Sequence, residues 1–99
     1  MKIIATPEVV EFIRLNGGEI FVWPVTMEYG YARGSVFVLE ASVESPGAER
    51  GFVRFEGEGI TVFYEPGERG TPDSLHLILR GRSRKRVGAY WNGHSYGTE

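Results

Sequence analysis

Helical period occurs once along the chain, near its start. Val9, Phe12 and Ile13 fall at i, i+3 and i+4, with Val10 widening the apolar stripe. Thr6 is the natural N-cap, Pro7 sits at the first helical position where its missing N–H costs nothing, and Glu8 meets the positive end of the dipole. Asn16-Gly17-Gly18 supplies the stop, so the pattern predicts a helix from Pro7 to Asn16. A helix this short has to bury its apolar face against a neighbour.

Beyond the helix the period falls to two. Ile20 to Val25 and Ser35 to Val43 are dense in β-branched and aromatic residues and predict strands, with Pro24 marking an edge or a bulge because it cannot donate to a ladder. Phe52 to Glu56 and Ile60 to Tyr64 flank Gly57-Glu58-Gly59, the spacing of a hairpin. Ile60, Val62 and Tyr64 share one face of its second arm and Thr61, Phe63 and Glu65 the other, so one face is apolar and one mixed. Leu75, Leu77 and Leu79 alternate with His76, Ile78 and Arg80, which predicts a strand with its leucines inward, and Val87 to Trp91 predicts the last. Glu44 to Gly51 and Pro66 to Ser74 read as loops. One helix leading six or so short strands, with no repeat, heptad or linker, predicts one α+β, mainly β domain over residues 1–99. Its N-terminal helix packs on small mixed or antiparallel sheets, and a short glycine-rich tail ends it.

Composition narrows the chemistry. The 99 residues suffice for one core, and 41% apolar residues against 24% charged is the balance of a folded protein. The absence of cysteine excludes disulfides, thiolate zinc sites, cysteine nucleophiles and cysteine-held clusters together. Only Ile3, Ile4 and Ala5 follow Lys2 before Thr6-Pro7-Glu8, too few for a signal-peptide core, and no apolar run is long enough to span a bilayer. A cytoplasmic setting is the expectation.

Charge is uneven. Residues 1–79 hold six basic and twelve acidic groups, a net −6, whereas residues 80–99 hold five basic and one acidic, a net +4. All five cations of the second segment fall in Arg80-Gly81-Arg82-Ser83-Arg84-Lys85-Arg86, a density able to neutralise phosphates or an acidic partner. The overall pI of about 5.7 and the acidic body oppose a long polyanion. A solvated strand end and turn that balances the acidic body is the plainer reading of the run.

The remaining candidates each meet a plainer explanation. His76 falls on the less apolar face of its strand and His94 in the tail Asn92-Gly93-His94-Ser95-Tyr96-Gly97; with only Asp73 or Glu65 as helpers, they make a poor metal set. The spacing of carboxylates such as Glu56 and Glu58 is that of solvent-facing turns, so no enzyme is predicted. Tyr29-Gly30-Tyr31-Ala32-Arg33-Gly34 carries glycines but leads into a strand, not a helix N-terminus, and lacks the means to cradle phosphate. Tyr90 and Trp91 beside the arginine run can stack on a base or a guanidinium, or fill a core or subunit interface.

In order, Thr6 to Ile13, the strand after Gly17-Gly18, the loop ending in Gly34, Gly34 to Glu40 and Glu58 to Tyr64 resemble the HesB-like family, the A-type iron–sulfur cluster carriers and their relatives. The likeness runs from about Ile3 to Trp91 and implies a leading helix on small packed sheets, often in a homodimer. The carriers hold a cluster with one cysteine in the loop before the strand matching Gly34 to Glu40 and with a Cys-Gly-Cys near the C-terminus. Here those places fall near Tyr31 or Ala32 and near Gly93 to Tyr96, and every thiolate is missing. The resemblance therefore implies the fold, while the composition denies the cluster.

The expectation is a HesB-like, homodimeric, cofactor-free module that works by protein interaction. Its candidate contacts are Tyr29, Tyr31 and Arg33, then Arg80, Arg82, Arg84, Lys85 and Arg86, then Tyr90, Trp91 and His94. The alternatives are polyanion or nucleic-acid binding through Arg80 to Arg86, and a mononuclear metal site using His94 and His76.

Overall fold

The computed structural model of the chain describes residues 1–28, 35–47, 50–67 and 70–91. The elements in order are β1 (Lys2–Ala5), α1 (Pro7–Leu15), β2 (Glu19–Glu28), β3 (Ser35–Ser42), β4 (Val53–Gly57), β5 (Ile60–Tyr64), β6 (Ser74–Arg80) and β7 (Arg86–Trp91). The expected mainly β architecture with one N-terminal helix is present. β1 is an addition to it: four residues are too few to carry a period, and the strand exists because it pairs in parallel with β6, Ile3 opposite Leu75.

Local chemistry sets the helix ends. The Val9 amide donates to Thr6 Oγ1 at 3.4 Å, and Pro7 and Glu8 open the first turn. At the other end Gly18 N–H donates to Ile13 O at 2.8 Å and Gly17 N–H to Arg14 O at 3.4 Å, the paired bonds of a Schellman stop. The predicted hairpin closes through two residues, Glu58 and Gly59, whose φ of 55° and 77° mark a type I′ turn. Gly57 belongs to β4.

Both sheets are mixed. One has the order β1-β6-β7 and the other β3-β2-β5-β4. Within the second, β2 pairs antiparallel with β3 from Phe21 to Glu28 but parallel with β5 only from Glu19 to Val22. Pro24 explains the difference. Val22 accepts from the Glu65 amide on the β5 side, so Pro24, two residues on, turns its ring nitrogen to that same side and has no proton to extend the ladder. It marks an edge, as predicted, on one side of the strand alone.

The sheets face each other, with β3 against β7 at one seam and β1 against β4 at the other, while α1 touches β6, β2 and β5. Their shared core holds Ile3, Leu75, Leu77, Val87 and Ala89 from one sheet, Ile20, Val22, Leu39, Ile60, Val62 and Tyr64 from the other, and Val9 and Ile13 from the helix. The alternation predicted for β5 and β6 is observed in these residues. Tyr64 is fully buried, and its hydroxyl accepts a hydrogen bond from Trp91 Nε1 at 3.1 Å. That bond joins β5 of one sheet to β7 of the other. Among the described residues no helix is long and apolar enough to cross a membrane.

Burial raises the Tyr64 hydroxyl above its ordinary value near 10, and the Trp91 hydrogen bond offsets this only in part. The folded state therefore holds this proton more tightly than the unfolded chain does. Its contribution to stability is complete below pH 10 and declines as pH rises through the folded value. Unfolding free energy measured by denaturant titration should fall above about pH 10 more steeply in the native chain than in Tyr64→Phe. At neutral pH the same substitution should cost about 1 kcal/mol, the net worth of one hydrogen bond.

Candidate functional site

The inward set on β7, Val87, Ala89 and Trp91, leaves Arg86, Gly88 and Tyr90 on the outer face of its sheet. Opposite them on β6 stand Arg80, Ile78 and His76 in register. His76 and Tyr90 stack with ring centroids 4.8 Å apart at 11°. Among the described residues no group of three or more His, Asp or Glu side chains converges as a metal site. Trp91, placed from the sequence with the interaction surface, points instead to Tyr64 and packs against the core, because alternation from Val87 turns it inward.

The arginine run is the β6–β7 hairpin. Arg80 and Arg86 face each other as the closing pair, and residues 81–86 are all exposed. Gly81 makes the tight turn possible: its φ is +94°, and a Cβ there would lie 2.0 Å from the Arg84 carbonyl oxygen. Lys85 Nζ donates to Gly81 O at 3.3 Å. Among the described residues, Arg82, Arg84 and Arg86 form no salt bridge. This register brings two cationic residues to the same end of the ladder.

A cleft of about 280 Å³ opens where β3 meets β7. Val38 to Ala41 line one side, Arg86 to Ala89 the other, and Arg80 reaches it from β6. Gly88 lets that happen. A Cβ there would come within 2.7 Å of Arg80 Nε and 2.8 Å of its Cδ, so the Arg80 side chain lies across β7 where a side chain is missing. Among the described residues, Glu40 is the one acid on the cleft wall. The cleft was not legible from spacing, since β3 and β7 are distant in sequence and meet only through the pairing of the two sheets.

The outer face of the four-stranded sheet carries a second feature that the sequence analysis missed. Phe21 on β2 stacks on Phe63 on β5 at 5.0 Å and 13°. Phe52 sets its edge on Phe21 at 5.5 Å and on Trp23 at 6.4 Å. The Arg50 guanidinium lies 5.4 Å from the Trp23 ring centre and pairs with Glu65 at 2.7 Å. Arg54 and Glu56 pair beside them on β4. The segment before β4 thus folds over aromatic residues that would otherwise lie open, as a small satellite of the core. The signal available was the mixed face of β5, where Phe63 stands between Thr61 and Glu65.

Tyr29, Tyr31, Arg33 and His94 lie outside the described residues, as do the places near Ala32 and Gly93 to Tyr96. A family model described as the CC/Se motif containing family matches residues 1–86, from β1 to the first residue of β7. This corrects the HesB-like resemblance and the iron–sulfur carrier ancestry drawn from it, which rested on element order and short patterns that other small β-rich domains share. No curated protein and no solved structure matches the chain.

Phe52→Ala should destabilise the fold by about 2 kcal/mol, since it removes two edge-to-face contacts and the area they cover. In a nitrogen-15 correlation spectrum the Trp23 indole signal should move, while that of Trp91 stays in place.

Proposed function

Because the chain belongs to the CC/Se motif containing family and yet has no cysteine or selenium residue among its 99, we propose that it acts as a non-catalytic interaction or accessory module in the cytoplasm. Thiol and selenol chemistry needs a soft, ionisable donor, and none is present. What the chain offers a partner is charge and shape. The basic hairpin is its most distinct surface, with Arg82, Arg84 and Lys85 at the tip, exposed and without acidic neighbours in sequence. An acidic protein segment is the complementary partner. The homodimer expected from the sequence drew on the HesB-like resemblance and forms no part of this proposal.

A second reading, nucleic-acid binding, is favoured by the same cations. The net −6 of residues 1–79 opposes it, since a long polyanion would meet that charge as well. Fluorescence anisotropy with a labelled oligoglutamate peptide and a labelled single-stranded oligonucleotide separates the two. The peptide should bind at low salt, weaken as salt rises, and lose about tenfold or more in affinity when Arg82, Arg84 and Lys85 all become Ala. Absence of peptide binding at low salt, or binding untouched by the triple substitution, would refute the proposal. Tighter binding of the oligonucleotide, with a steep salt dependence, would replace it with the second reading.

A further inference from the structure

We propose that the cleft between β3 and β7 is a binding site for one oxyanion group, the carboxylate or phosphate of a small molecule, held by Arg86 and by Arg80 where it crosses Gly88. The site is distinct from the hairpin tip and does not rest on the docking of an acidic partner there.

Three independent features converge on it. First, the register sets Arg80 and Arg86 across from each other at the end of the β6–β7 ladder, and both residues line the cleft. Second, Gly88 removes the side chain that would hold Arg80 away; with any larger residue on β7 the Arg80 stem would have to lift from the strand. Third, the space suits the ligand. At about 280 Å³ the cleft lies near the lower end of small-molecule sites, roughly 300–1,000 Å³. It takes a small molecule or the head of a larger one, whereas β3 and β7 lie too close together to admit a further strand between them.

The chemistry of the walls selects an anion. Guanidinium groups offer planar, paired N–H donors that match carboxylate and phosphate oxygens. Among the described lining residues two arginines stand against one acid, Glu40, a balance that favours an anion over a cation. Charge on an edge strand also guards it against pairing with other chains. That role, however, is served by cations anywhere along β3 or β7, and does not require one to cross a glycine gap toward the seam.

Calorimetric titration of the full chain with inorganic phosphate, and separately with succinate, tests this. At least one of them should bind saturably, one per chain, and the tighter of the two identifies the source of the group. Arg86→Gln should weaken that binding about tenfold or more, the loss of a charged hydrogen bond. Gly88→Ala should weaken it too, because the new methyl displaces Arg80, whose flexible stem can yield without unfolding the strand. A circular dichroism spectrum unchanged from that of the native chain confirms the fold of each variant. Arg82→Ala with Arg84→Ala should leave cleft binding within about twofold, although it removes charge from the same hairpin. No saturable binding of either anion would overturn the proposal. So would an equal loss in the Arg82 and Arg84 variant, which would reveal diffuse attraction in place of a site. Because the tip variants affect peptide docking and the cleft variants affect small anions, failure of one reading leaves the other standing.

Discussion

One hydrogen bond ties the two sheets together across their shared core. Among the described residues the Tyr64 hydroxyl is the side-chain polar group set within an otherwise apolar core, and Trp91 Nε1 satisfies it from the opposing sheet. A buried hydroxyl without a partner would cost about 1–3 kcal/mol, a large share of the stability of a small domain. The bond therefore favours the register in which Trp91, Ala89 and Val87 face inward. The same alternation leaves Arg86, Gly88 and Tyr90 outside. Slipping β7 by one residue would bury Arg86 and expose Trp91, so core packing and surface charge are selected by one constraint.

How much of this was legible in the chain follows from the range of the interactions. Thr6, Pro7 and Asn16-Gly17-Gly18 act within a few residues, and the helix begins and ends where they require. Ile60, Val62 and Tyr64 announce their common face through a period of two, and Glu58-Gly59 closes its hairpin locally. β1 escaped because its reason for being a strand is β6, at the far end of the chain. The cover of Arg50 and Phe52 over Trp23 escaped for a like reason: nothing local marks a loop residue as the partner of a ring on another strand. The site was legible as charge and not as shape. Arg80 to Arg86 stood out as a run, but the Gly88 gap and the wall from Val38 to Ala41 emerge only when two sheet edges meet.

A compositional fact stands beside this geometry. The family match runs over most of the chain, and its 99 residues include no cysteine. A fold can outlast the chemistry once done on it, because packing depends on shape and apolar area while reactivity depends on a few side chains. Among the described residues the inner faces are apolar, and exposed cations gather on a basic hairpin and at the seam beside it. Two arginines that line one cleft and a glycine that opens a path across a strand are features that a purely structural hairpin does not need.

A chemical-shift map of the nitrogen-15-labelled chain during titration with inorganic phosphate and succinate tests the central claim most directly. The account predicts that the perturbed amides cluster at Arg80, Arg86, Gly88 and residues 38–41, with Ser83 at the tip and the Phe21, Trp23 and Phe63 face unmoved. Shifts confined to the tip or spread over the aromatic face, or none with either anion, would contradict it.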